Sequence, residues 1–236
     1  MVKLRKDSSL SIRMPLVLQE QIKPAVKVAK AKNQTVFLTS ALATLLKQIH
    51  NGAPISDLMV DQCSLGWPSS MINVRITPMV LNIINSTSTR FYQATTHTVM
   101  WATALAIQRQ GLHLDIAKYT SELPSRISIP EEIRLLIDRS AHKLKIDPEL
   151  YPRCATEVLV KYIKENRPIR QLALPRGVWL RTSRNVPVRN PQYRKLSLDP
   201  ELADDVLCLA PRLYHSPSTF VLWASCWVGF RVTKIS

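Results

Sequence analysis

The chain has 236 residues, 46% of them hydrophobic, enough to bury real cores and to exclude wholesale disorder. Its 32 Lys and Arg face 17 Asp and Glu, a formal net charge of +15, so polyanions are the expected partners and nucleic acid leads among them. An anionic membrane surface would call for a basic amphipathic helix or a lipid anchor, and neither is legible. The basic start, Met1 to Asp7, leads into no long apolar run, so no secretory leader is expected. The most apolar stretch, Thr219 to Phe230, has twelve residues against the roughly 20 that cross a bilayer. A cytoplasmic protein without membrane insertion is the expectation. The cysteines (Cys63, Cys154, Cys208, Cys226) show no C-x-x-C spacing and no His at zinc spacing, so they are expected as free, buried thiols. The charge sits at the two ends: residues 1–52 and 167–236 each carry a net +7.

One pattern recurs along the chain: a short alternating run, a proline, then two helical segments separated by a break. The first copy opens Ser9-Leu10-Ser11-Ile12-Arg13-Met14-Pro15. Its helices carry Ile22, Ala25, Val26 and Ala29, then Leu38, Ala41, Leu42, Leu45, Leu46 and Ile49, stopped by Asn51-Gly52. The second opens Ser70-Met71-Ile72-Asn73-Val74-Arg75-Ile76-Thr77-Pro78, with Val80, Ile83, Ile84 and Thr87 on one helix. Val99, Ala102, Leu105 and Ala106 line the next, closed by Gly111. The third opens Ser125-Arg126-Ile127-Ser128-Ile129-Pro130, followed by Ile133, Leu136, Ile137 and Leu144, then Ala155, Val158, Leu159, Tyr162 and Ile163. The fourth opens Arg194-Lys195-Leu196-Ser197-Leu198-Asp199-Pro200; Leu202, Val206, Leu209 and Leu213 follow, then Phe220, Trp223, Ala224 and Trp227.

Period-two alternation predicts strands with one buried and one wet face. Each proline suits a helix's first turn, with Thr77 and Asp199 as caps. Pro24 and Pro211 fall inside first helices and are expected to kink or shorten them. The marker prolines lie 63, 52 and 70 residues apart, so variable linkers join similar units. The Trp223/Trp227 segment, apolar nearly all round, is expected in the core, with a docking surface as the other reading. From Arg167 to Leu198 eight basic residues and no acidic one read as an extended basic linker that tracks a phosphate backbone or simply stays solvated.

Strand, helix, helix at this scale resembles the ribbon-helix-helix superfamily of Arc- and MetJ-type DNA-binding proteins, over most of the chain and on pattern alone. The resemblance implies an α+β, mostly helical fold in which four units form two intertwined pseudo-dimers, each a two-stranded antiparallel ribbon on a four-helix core. It places the first pseudo-dimer at 1–111 (units 9–52 and 70–111) and a linker at 112–123. The second follows at 124–236 (units 124–166 and 193–230), with the basic linker 167–192 inside it. It assigns base contacts in the major groove to the strands' wet faces: Ser9, Ser11, Arg13, Asn73, Arg75, Arg126, Ser128, Lys195 and Ser197. Phosphates would sit at second-helix N-termini near Thr35, Thr96 and Ser218, and along Arg181, Arg184 and Arg189. Pro148 and Pro152 stand where the third unit's phosphate anchor would be.

No enzyme is expected, and no cofactor. The five histidines are scattered, no phosphate loop or nucleophile elbow is present, and five glycines are few for ligand-cradling loops. The expected function is sequence-specific binding of double-stranded DNA. Four unlike strands imply an asymmetric site, which suits an accessory factor of DNA transfer or processing on a plasmid or mobile element, with a relaxase or another DNA-processing protein as a further partner. A transcriptional repressor of a mobile element is the alternative, and a helical protein-interaction adaptor the alternative of another class.

Overall fold

The computed structural model describes residues 8–114, 122–175 and 192–234. Strand β1 (Ser8–Pro15) leads directly into α1 (Leu16–Val28) and α2 (Gln34–Asn51). Asn33 caps α2 by accepting the Val36 N–H at 3.0 Å, and Gly52 ends it at φ 72°. A 3-10 turn over Ile55–Leu58 precedes β2 (Ser69–Ile76), α3 (Pro78–Arg90) and α4 (Thr95–Gln108). The order then repeats. Strand β3 (Arg126–Ile129) is followed by α5 (Glu131–Leu144), α6 (Tyr151–Lys164) and a 3-10 turn over Ile169–Leu172. Strand β4 (Gln192–Lys195), α7 (Pro200–Arg212) and α8 (Pro217–Lys234) close the chain. Thr77 and Asp199 cap α3 and α7 through their side-chain oxygens, as their places before Pro78 and Pro200 predict.

The fold is α+β and mostly helical, and the strands among the described residues pair as two antiparallel ribbons, β1 with β2 and β3 with β4. Alternation decides which side is dry. Ile12, Met14, Val74, Ile76, Ile127 and Ile129 are buried on the helices, while Ser11, Arg13, Asn73, Arg75, Arg126 and Ser128 are exposed.

Several expectations are corrected. Pro24 and Pro211 lie inside α1 and α7 without shortening them, since both helices run thirteen residues, as α3 does. The backbone bond that Pro24 forgoes is offset by Leu18, Ile22 and Ala25, which α1 buries around it. Ile83, Val158 and Leu144 are 40%, 40% and 46% exposed, and Ala29 is also exposed. Ala29 stands just past the end of α1 and Leu144 is the last residue of α5, where the buried stripes run out. The fourth strand begins two residues earlier than its sequence pattern indicates. Cys63 and Cys226 are buried, Cys154 is half-buried and Cys208 exposed, all four as free thiols. The 167–192 stretch opens as core, with Ile169, Leu172 and Leu174 fully buried.

Helices α4 and α8 are apolar on nearly every side and accordingly lie at the centre. Trp101, Trp223 and Trp227 are 2% exposed or less, so the Trp223/Trp227 segment belongs to the core. Around these helices the two halves hold each other by the same contacts taken twice. The Val60 N–H donates to the Arg212 carbonyl at 2.9 Å, and the Leu174 N–H to the Arg90 carbonyl at 2.7 Å. The Nε of Arg212 donates back to the Val60 carbonyl at 3.3 Å, and that of Arg90 to the Leu174 carbonyl at 3.1 Å. Trp101 Nε1 closes the first 3-10 turn at the Leu58 carbonyl (2.7 Å), and Trp223 Nε1 the second at the Leu172 carbonyl (3.2 Å). Pro54 bridges to Pro168 between them. An approximate two-fold axis therefore relates the halves.

The equivalence includes one exchange of residue type. Gln93, after Tyr92 at positive φ, donates to the Leu213 carbonyl at 2.6 Å. At the matching place after Tyr214 stands His215, stacked on Trp223 with ring centres 4.9 Å apart. Burial drives the His215 imidazole down to about 3, with His97 adding to the effect. The native state thus keeps His215 neutral where an unfolded chain would take up a proton below about 6.5. Stability is fully present above that pH and falls as pH drops toward 3, by up to about 1.4 kcal/mol per pH unit. Urea unfolding at several pH values between 7 and 4 should show this loss, and His215→Gln, which copies Gln93, should flatten it.

Candidate nucleic-acid interface

The register of each ribbon fixes what its outer face offers. In the first, Ser9 pairs with Arg75, Ser11 with Asn73 and Arg13 with Met71. Ser11 Oγ donates to Asn73 Oδ1 at 2.7 Å, so the middle of this face is a neutral hydrogen-bonded pair. The Asn73 amide N–H groups are left for another acceptor. Arg13 and Arg75 stand two residues beyond that pair, each on its own strand, and so take opposite corners of the face. The Ser9 side chain lies outside what is described. Gln19 of α1 anchors the ribbon's end, donating to the Met14 carbonyl and to Ser70 Oγ at 2.7 and 2.8 Å.

The second ribbon distributes its charge differently. Arg126 pairs with Lys195 and Ser128 with Tyr193. Two cations therefore lie directly across from each other at one end of the paired stretch, both exposed. Like charges in cross-strand register are destabilising in water. Arg194, on the inner side opposite Ile127, is held by Asp138 Oδ1 at 2.8 Å and by the Pro148 carbonyl at 2.9 Å. Ser197 is exposed just beyond β4, where the Leu196 N–H still bonds the Ser125 carbonyl at 2.9 Å. Among the described residues Arg13, Arg75, Arg126 and Lys195 have no ion-pair or hydrogen-bond partner, and neither outer face carries a carboxylate.

The helix N-termini differ among themselves. Thr35, Thr96 and Ser218 are the second residues of α2, α4 and α8, all half-buried. At α2 the Asn33 cap already takes one backbone donor, and at α8 Ser216 Oγ accepts the Thr219 N–H at 3.3 Å. The α4 start, after Ala94, has no side-chain cap, so its first N–H groups remain open to an anion. The α6 start is filled by Tyr151 and Pro152, both buried. Arg181, Arg184 and Arg189 lie outside the described residues.

Three features had escaped the sequence reading. Met71 and Tyr193 share the outer faces, and period-two counting from Asn73 and Lys195 would have found them. Exposed Lys30 and Lys32 form the turn that leads into the α2 N-terminus, and the run Lys30-Ala31-Lys32-Asn33 was the available signal. Among the described residues no group of His, Cys, Asp or Glu could hold a metal ion, and no helix is long and apolar enough to cross a membrane. Comparisons with family models, with curated proteins and with solved structures find no match to this chain.

Relief of the Arg126–Lys195 repulsion gives a test in the absence of any ligand. Lys195→Glu, facing Arg126, should raise the unfolding free energy at low ionic strength by about 0.2–1 kcal/mol. The gain should shrink when the same melts are run in high salt.

Proposed function

We propose that this chain is a non-enzymatic, sequence-specific double-stranded DNA-binding protein of the tandem ribbon-helix-helix kind, with each ribbon laid into the major groove. One observation carries the reading: both ribbons turn unpartnered cations and neutral hydrogen-bonding groups outward, without a carboxylate, while their other faces are sealed by helices. A two-stranded ribbon fits the roughly 12 Å width of the major groove. Arg13, Arg75, Arg126 and Lys195 supply donors suited to guanine O6 and N7, and Asn73 a group suited to adenine. The Arg126–Lys195 pair costs stability in water and is relieved beside a polyanion. Exposed Lys23, Lys27, Lys30 and Lys32, with the open α4 N-terminus, suit flanking phosphates.

The ribbons are chemically unlike, one cationic at two opposite corners and the other with both cations side by side at one end, so the preferred site is asymmetric and gives direction. That favours an accessory factor which orients a DNA-transfer or processing complex on a plasmid or mobile element over a repressor, whose palindromic operator needs two equal halves. A purely helical adaptor has no use for the two ribbons.

Selection of bound duplexes from a random pool, followed by affinity across a salt series, tests the reading. The expected result is an enriched non-palindromic site with strongly salt-dependent affinity. No enrichment and no salt dependence would overturn it. On the enriched duplex, Arg75→Ala or Arg126→Ala should cost roughly 1–3 kcal/mol and relax discrimination at one base position. Neutralising Arg181, Arg184 and Arg189 together should weaken all duplexes alike and flatten the salt dependence.

A further inference from the structure

Two side chains on the ribbons' outer faces are poorly suited to a merely wet surface. Met71 is 57% exposed and Tyr193 66% exposed. They hold matching places. Counted from the cross-strand pairs Ser11–Asn73 and Arg126–Lys195, each lies two residues earlier on the second strand of its ribbon. Met71 faces Arg13 across the first ribbon, and Tyr193 faces Ser128 across the second. The remaining exposed positions of these faces are polar or cationic. Each of the two therefore holds apolar surface in water at a spot surrounded by groups that attract a polyanion.

The edges of base pairs in the major groove present donors, acceptors and one apolar group, the C5-methyl of thymine. Resting on the DNA-binding reading above, we propose that Met71 and Tyr193 are specificity-determining residues that read pyrimidine C5-methyl groups in the major groove, one at each ribbon. The flexible thioether of Met71 can settle on a methyl without a fixed geometry. The Tyr193 ring offers an apolar face while its hydroxyl stays wet. Register sets the position as well. Successive outward side chains on a strand are about 6.6 Å apart, close to two base steps of about 3.4 Å each. The methyl read by Met71 thus lies about two base pairs from the base facing Asn73, on the side away from Arg75.

The test uses the full chain and the duplex enriched by selection, with each thymine replaced in turn by deoxyuridine. That exchange deletes the methyl and keeps every hydrogen-bonding group. Uracil should weaken binding about fourfold, the loss expected for one buried carbon group, at one position within each ribbon's part of the site. Met71→Ala should abolish the uracil effect at the first position and leave the second intact, and Tyr193→Ala the converse. Both residues are on the exposed face, so unchanged thermal melts are expected for both variants. A uracil scan silent at every thymine, or a Met71→Ala protein that keeps the full effect, would overturn the methyl reading. If Arg75→Ala and Arg126→Ala still lose affinity in that case, the ribbons remain on DNA and only this inference falls. If no duplex is enriched, both readings fail together.

Discussion

A strand of four to eight residues at this chain's alternation hides one face and leaves its backbone donors and acceptors open along both edges. Pairing β1 with β2, and β3 with β4, satisfies the inner edges and doubles the apolar floor that the helices can cover. Everything else in each half follows from that pairing. The antiparallel register sets Ile12 across from Ile72 and Leu10 across from Val74, so the dry face is continuous across both strands. The same register fixes the wet face, because a slip of one residue would turn the arginines inward and the isoleucines out.

Above the ribbons, the ends of α3 and α7 reach across to the stretches that follow the other half's 3-10 turn, while α4 and α8 form the centre of each half. A helix buried on all sides cannot be amphipathic, and both are apolar almost throughout, with Trp101 and Trp223 each donating to the last carbonyl of a 3-10 turn. Phe91 stands edge-on to both indoles, with ring centres 6.2 and 5.9 Å away, joining the halves into one core. The reciprocal bonds of Arg90 with Leu174 and of Arg212 with Val60 make the joint two-fold. Internal likeness is strong at this joint and weak on the ribbons' outer faces. The joint is thus shared while the outer faces differ.

The distribution of charge supports the same picture from another side. Acidic residues near the second ribbon are spent within the protein: Asp138 accepts from both Arg134 and Arg194, and Asp199 pairs with Arg153 at 2.9 Å. The cations on the outer faces have no such partners among the described residues.

The sequence by itself determined the strands, the helix starts and the sides they face. Alternation, first-turn prolines and the caps Thr77 and Asp199 are local signals, acting within one or two turns of chain. Ser11, Arg13, Asn73, Arg75, Arg126, Ser128 and Lys195 could accordingly be placed on wet faces before any partner strand was known. Tertiary structure alone decided the register in which the strands pair, and hence that Ser11 bonds Asn73 while Arg126 confronts Lys195. It also decided that Arg194 turns inward to Asp138, that Ile169 and Leu172 of an apparently basic linker are core, and that Ile83 and Leu144 are left in water. These outcomes depend on contacts between residues far apart in the chain, such as the 84 residues between Arg90 and Leu174. No local pattern encodes them, because a side chain's burial is set by what packs over it, and that is supplied by another part of the chain.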